Sequence, residues 1–470
     1  MKMKLFAAAS TIVLACLSTP APAQHAGHGG MAMPMPAIEK PASKKPAAKK
    51  PAASAASPPV VPAMDHGQMD MGQSTPEPMD HAAMGHEAMA MTGAVGTYAM
   101  TRDASGTSWQ PDSSQHSGIH LMNGDWSFML HGELSIVYDW QEGPRGDSKT
   151  FAAGMLMGMA RRPLGDGTLQ FRAMVSPDPL MGKSGYPLLL ASGETANGRD
   201  PLTDRQHPHD FFMELSASVS QNLGPKTSVF LYGGLPGEPA FGPPAFMHRQ
   251  SISVSPEAPI SHHWLDSTHI TFGVLTAGIV HDNFKVEVSR FNGREPDQHR
   301  WDIETGPLDS TSVRLSWNPT PNLSLQGSWA HLEEPEQLEP GIDQRRWSAS
   351  AIYTRPLAHG WWSTTLAWGR KHVDGHDYDA FALESALNWK DWTLFGRGEV
   401  TENNELTGDH HEAFRVGKAS FGLVRDFRLA RHLKFGPGIL YAFNFVPSGL
   451  EDGYGGDPNG AMAFIRLKVE

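Results

Sequence analysis

The sequence predicts an all-β fold, a transmembrane antiparallel β-barrel of about 16 strands (range about 12–16) behind a disordered N-terminal region rich in Met and His. Three observations carry this. Beyond residue 124, apolar and polar residues alternate with period two in one short segment after another. The links between those segments are alternately short and long, as in barrels with tight turns at one rim and extended loops at the other. The composition also changes near residue 100: 11 of the 23 Met fall between Met31 and Met100, whereas all 13 Trp lie at or beyond Trp109.

The chain has 470 residues and a single cysteine, Cys16, so neither a disulfide framework nor a thiolate cage can be assembled. Fifty acidic against 38 basic residues give a net charge of -12, which excludes a nucleic-acid binder. Lys2 and Lys4 precede the apolar run Leu5 to Leu17, and Ala21-Pro22-Ala23 has the small-x-small pattern of a cleavage site. Residues 1–23 therefore read as a secretory signal peptide. Val13-Leu14-Ala15-Cys16 is an imperfect lipidation box and gives a rival reading of the same segment. The longest later apolar stretches, 270–280 and 435–446, fall short of the ~20 residues that a membrane helix needs.

Residues 24–123 form the predicted disordered head. Up to Ala99 its only aromatic is Tyr98 and branched aliphatics are scarce, so it cannot bury enough apolar area to offset the entropy of ordering. A Lys/Ala/Pro-rich spacer, residues 40–62, separates two ligand clusters. The first is His25, His28, Met31, Met33 and Met35. The second repeats Met64-Asp65-His66-Gly67-Gln68-Met69 as Met79-Asp80-His81-Ala82-Ala83-Met84, extended by Met71, His86, Met89 and Met91. Thioethers are soft neutral ligands that select Cu(I), while imidazole beside a carboxylate suits Cu(II); the mixed set points to copper ions, Cu(I) foremost.

These Met-Asp-His-x-x-Met units behind an export signal resemble the Met/His-rich head of the type B outer-membrane copper-resistance proteins, in which such a head precedes a β-barrel. The resemblance covers residues 24–100 and the architecture. It implies a role in copper resistance, with the head in the periplasm binding copper ions and either sequestering them or passing them to the barrel for export. A periplasmic copper oxidase or chaperone is then the natural protein partner, and outer-membrane lipid the surroundings. The alternative is a general diffusion porin whose head is dispensable.

Residues 124–470 form the predicted barrel. Seven short links (162–167, 222–226, 281–283, 318–322, 355–360, 389–391 and 427–431) alternate with eight longer ones (141–149, 177–210, 233–266, 292–309, 332–345, 371–379, 401–412 and 446–460). Fifteen links join sixteen strands, with both chain ends at the short-turn rim. Trp126, Tyr138, Trp361, Trp362, Trp389 and Trp392 suit aromatic girdles. The chain ends Leu467-Lys468-Val469-Glu470, without a terminal aromatic.

Along the first long strand Trp126, Phe128, Leu130, Leu134, Ile136 and Tyr138 take one face, so Met129, His131 and Glu133 are assigned to the lumen as a copper path. Met174 and Arg172 are assigned there too. Met155, Met157 and Met159 form a thioether row ~7 Å apart on one face; Phe151 and Ala153 on that face favour lipid, but the pattern leaves lumen and lipid both open. The loops hold His207-Pro208-His209-Asp210, Met247-His248, His262-His263, His372 with His376, and His410-His411. His207 and His209, two apart on an extended segment, are candidates to share an ion, with Asp210 as ligand or supporting partner. No Gly-x-Ser-x-Gly elbow, phosphate loop or His-Glu-x-x-His occurs, so the reading is not an enzyme.

Overall fold

The structure, a computed structural model, describes residues 92–115, 117–408 and 412–470. The signal peptide, the spacer, both ligand clusters of the head and the pair His410-His411 lie outside the described residues. No helix among the described residues is long and apolar enough to cross a membrane.

Among the described residues twenty strands form: β1 (Ile119–Asn123), β2 (Trp126–Gln141), β3 (Ser148–Leu164), β4 (Gly167–Val175), β5 (Tyr186–Thr195), β6 (Pro201–Gln206), β7 (Phe212–Gly224), β8 (Thr227–Gly234), β9 (Val274–His281), β10 (Phe284–Phe291), β11 (Ser310–Thr320), β12 (Leu323–Leu332), β13 (Gln344–Leu357), β14 (Gly360–Val373), β15 (His376–Trp389), β16 (Trp392–Asn403), β17 (Phe414–Arg425), β18 (Phe427–Ala430), β19 (Leu433–Phe445) and β20 (Asn459–Val469). Sixteen of them make one closed antiparallel barrel; β5 pairs only with β6, while β1 and β18 are short additions at the edges of β2 and β19. Closure runs from Gly132↔Val469 to Gln141↔Gly460 between β2 and β20, and antiparallel closure requires an even strand number. Where β20 stops, β1 takes over the edge of β2, pairing Ile119↔Leu130 through Asn123↔Trp126.

The period-two pattern has the expected consequence. On β2, Leu134, Ile136, Tyr138 and Trp140 are 39–52% exposed on the outside, while Ser135, Val137 and Asp139 are buried inside. An apolar outer face on a closed barrel is the outer-membrane architecture, since closure satisfies every backbone group in lipid. Trp126, Trp362, Trp389 and Trp392 gird the short-turn rim, and Tyr138, Trp140, Tyr441 and Phe443 the opposite one. Arg162 and Arg425 lie over Trp126 and Trp392 at 5.5 and 5.1 Å from the ring centres. Trp361 departs from the girdle assignment. It is 9% exposed and packs inward, because its neighbour Trp362 already takes the outer position on β14.

Two further expectations change. The link 371–379 is a two-residue turn: β14 and β15 stay paired out to Val373↔His376, and Asp374-Gly375 turns with φ of 46° and 80°, which suits Asp-Gly. Residues 92–115, assigned from the sequence to a disordered head, are ordered against the barrel. Tyr98 and Trp109 meet edge to face at 5.0 Å and pack with Ala94 and Val95 against Phe230 and Val280 of the wall. Arg102 lies over both rings at 5.0 and 4.8 Å and is held by Asp112. The segment is poor in apolar residues, but the barrel supplies the surface it lacks.

The interior is filled. Residues 92–115 enter from the short-turn rim, where Ser113 N–H donates to the Pro321 carbonyl and Arg102 to the Asp282 carbonyl. The loop 235–273, with the single-turn helix α1 (His262–Leu265), folds inward as a plug; Ala240, Ile252, Trp264 and Leu265 are at most 2% exposed. Irregular backbone inside a barrel needs donors for its carbonyls, and wall arginines supply them: Arg314 to Phe241 and Gly242, Arg397 to Ala258, Arg172 to Ala104. The approach is close, since a Cβ on Gly369 of β14 would sit 2.4 Å from the Trp264 carbonyl oxygen.

Candidate functional site

Register decides which side chains meet. In the β2–β3 ladder Met129 lies opposite Met159, His131 opposite Met157 and Glu133 opposite Met155. Directly opposed residues of an antiparallel pair share a face. The thioether row of β3 therefore points into the lumen with Met129 and His131, which decides against lipid a face that the sequence left open; Phe151, on that same face, is also buried inside, stacked on Tyr186 with ring centres 4.4 Å apart. One strand further, Arg172 opposes Met159 and Met174 opposes Met157, as the sequence assigned them. Met157, Met174 and Met213 form a buried cluster with Ile270 and Phe272 of the plug, and Met155, Met159 and Met247 pack against it.

Beside this cluster lies a cavity of about 260 Å³ whose walls include Met100, Met129, His131, Met155, Met157 and Met159, with Met247 and His248 from the plug. His131 Nε2 stands 3.2 Å from Met157 Sδ, and the His131 and His248 ring centres are 6.4 Å apart. Soft sulfur and borderline nitrogen donors thus face one small space, a set suited to Cu(I), Ag(I) or Cu(II). Met213 went unnoticed in the sequence; its signal is its place on β7, which pairs with β4.

The other predicted pair, His207 and His209, also borders the cavity, but the two rings take different partners. His207 Nε2 lies 3.1 Å from Glu194, and His209 Nδ1 lies 2.8 Å from Asp178. Asp210 is engaged by Arg300 at 3.2 Å rather than by either imidazole. Burial holds His207 well below the usual histidine pKa, helped by the Arg300 charge, so its ring is neutral. Burial likewise lowers His262 and His269. His372 is turned to Asp377, 2.7 Å away, at the exposed rim.

The barrel is similar to porins of known structure. Salmonella typhi OmpF in complex with daunomycin matches 74% of this chain and 100% of its own, at 11% identity and a TM-score of 0.46. Pseudomonas putida OprB at high pH matches 73% of this chain and 94% of its own, at 10% identity and a TM-score of 0.47. The anion-selective porin from Comamonas acidovorans matches 73% and 99%, at 14% identity and a TM-score of 0.41. No protein-family model and no curated protein matches the chain.

A second group of ligand-type side chains lies apart from the cavity: His263, Glu295 and Glu336 converge, with Arg346 and Lys371 close by. The cations already balance the carboxylates, so this is an ion-pair network that pins the plug. Burial pulls His263 down, but Glu295, 3.1 Å from Nδ1, more than reverses this and lifts it to about 9. A folded-state value above the ordinary ~6.5 means that the pair's contribution to stability is complete below that ordinary value and is lost as pH rises through about 9. Glu336, pushed up to about 8 by burial and Glu295, loses stability in the same direction. Amides of residues 262–265 should therefore lose protection from exchange progressively as pH rises from about 6.5 to about 9, after correction for intrinsic rates. Unchanged protection above that pH would show that the network does not hold the plug.

Proposed function

We propose that this chain is an outer-membrane copper-handling protein. Its head captures Cu(I), or Cu(II), in the periplasm, and the chamber inside the barrel receives the ion for sequestration or export. One observation carries the reading: the row Met155, Met157 and Met159 faces inward together with Met129 and His131 onto one cavity, with an imidazole nitrogen 3.2 Å from a thioether sulfur. A lumen built only for passive diffusion has no use for such donors. Met64, His66, Met69, Met79, His81 and Met84 are the proposed capture ligands. Both ends of the barrel sequence lie at the short-turn rim, which supports a periplasmic head, where a copper oxidase or chaperone would exchange the ion with it.

The porin alternative calls for an open lumen. Arg314 and Arg397 point inward, are at most 2% exposed and donate to plug carbonyls rather than to water, which favours a narrow or gated path. Deleting residues 24–91, and not the folded segment from Thr92 onward, should lower copper tolerance severalfold in a copper-sensitive host while the barrel still inserts. Unchanged tolerance would end the copper reading. A large conductance indifferent to Cu(I) and Ag(I) would support the porin.

A further inference from the structure

We propose that one side of the barrel's outer surface, at the long-loop end of β12 to β17, binds the phosphate groups of a glycolipid in the outer leaflet. The proposal does not depend on the copper reading, because it concerns the face turned to lipid and not the lumen.

Register gives the positions. His331 lies opposite Arg345, Arg345 opposite His372 and His372 opposite Asp377; Arg370 lies opposite Asp379, and Glu402 opposite Arg415. All share the outward face, which Leu366, Phe381 and Val400 mark with exposures of 39–57%. Their depth follows from β13, where Arg355 lies opposite Trp362 of the short-turn girdle and Arg345 comes ten residues before it. At ~3.4 Å per residue and a tilt of ~40° those residues rise ~26 Å, the height of the apolar band. The outward residues between them, Tyr353, Ala351, Ala349 and Trp347, are uncharged, and Trp347 stands opposite Trp329 as an upper girdle. The charged residues thus sit where headgroups begin.

The charge is one-sided. On the upper halves of strands β19, β20, β2 to β4 and β7 to β9 every outward residue is uncharged, Phe443, Ala461, Trp140, Thr150 and Leu275 among them. Arg290 of β10 stands lower, and its guanidinium is taken by Thr311 and the Leu308 carbonyl. On the charged side Arg370 is clamped by Asp379 at 2.7 and 2.8 Å, whereas the 67% exposed side chain of Arg415 meets Glu402 only at 3.7 Å. Glu333 and Asp343 lie 4.0 and 3.8 Å from His331. Arg345 is exposed between His331 and His372, with no carboxylate among the described residues in ion-pairing reach. A guanidinium at headgroup depth without a counter-charge suits a phosphate, which it can meet with two N–H groups. The carboxylates beside it are equally informative. A leaflet of simple anionic lipid would repel them, whereas phosphates cross-bridged by Mg(II) or Ca(II) offer ions that take oxygen ligands. Both signs on one sector therefore point to a phosphorylated glycolipid packed with divalent ions.

The test uses the full-length chain, folded in detergent with Mg(II) present. Phosphorylated lipid A should bind and co-elute with the protein, and lipid A stripped of its phosphates should bind severalfold more weakly. Inorganic phosphate at the same concentration should not displace the lipid, which separates a headgroup from a free anion. The variant carrying Arg345→Ala and Arg415→Ala should retain severalfold less lipid A. The variant carrying Arg162→Ala and Arg425→Ala, at the opposite girdle, should retain the wild-type amount, with heat-modified gel mobility confirming that both fold. Equal binding of phosphorylated and stripped lipid overturns the proposal. So do displacement by inorganic phosphate and retention that is the same in the two variants. The comparison of the two lipids needs only wild-type protein, so a variant that fails to fold does not blunt the test.

Discussion

Replacing Arg249 with alanine is expected to detach the plug from the barrel wall and to destabilise the folded chain by about 3–5 kcal/mol. Arg249 belongs to the plug loop and is 1% exposed. Its Nε and Nη2 donate to the two oxygens of Glu384 on β15 at 2.8 and 2.6 Å, and its Nη1 donates to Asp266 at 2.5 Å and to the Pro244 carbonyl at 2.8 Å. One guanidinium thus compensates two buried carboxylates and ties two parts of the loop to the wall. Alanine leaves both charges in a dry interior, and lysine, a point charge without the planar fork, cannot replace the geometry. Proteolysis within 235–273 should accelerate, and the conductance of the variant in a planar bilayer should rise. Arg249→Met combined with Glu384→Gln should recover part of the loss, because it removes the stranded wall charge along with its partner. A variant Arg249→Ala with wild-type protease resistance and conductance would show that the plug is held by other contacts.

The barrel was legible in the sequence because its two signals are redundant. Alternation in Trp126–Tyr138 separates lipid side from lumen side, and the short and long links fix strand number and chain-end placement without reference to any side chain. Interior chemistry was legible only in part. Period two says that Met155, Met157 and Met159 share a face but not which face, and Phe151 and Ala153 beside them argued for lipid. The answer lies in the register Met129↔Met159, a long-range quantity set by how β2 and β3 pair. The inward folding of 235–273 was equally hidden. A loop seen in sequence has no direction, and the carbonyls of this one find donors on strands that lie far along the chain, such as Arg314 and Arg397. The aromatic Tyr98 shows the same limit from the other side, since the cluster it forms with its own neighbours is completed by Phe230 and Val280 of the wall.

Changing Met129, Met155, Met157 and Met159 to leucine together should sharply weaken the response of the barrel to soft metal ions while leaving its fold intact. Leucine matches methionine closely in volume, and each exchange costs less than about 1.5 kcal/mol, so packing against Met174, Met213 and Phe272 is largely retained. What disappears is most of the sulfur. The thioethers are the donors that separate Cu(I) and Ag(I) from Zn(II), and removing these four leaves imidazole at His131 and His248 with only Met100 and Met247 as sulfur on the cavity wall. Losing an outer partner of a metal ligand already lowers affinity about 10–100-fold, so losing the ligands themselves should weaken Ag(I) binding by more than that. Titration of the detergent-folded chain lacking residues 24–91 isolates the chamber from the head, and Zn(II) measured alongside provides the control, because its binding should be preserved. Ag(I) affinity unchanged in the leucine variant would mean that the inward methionines are there to fill space against the plug, and that any coinage-metal chemistry belongs to the head alone.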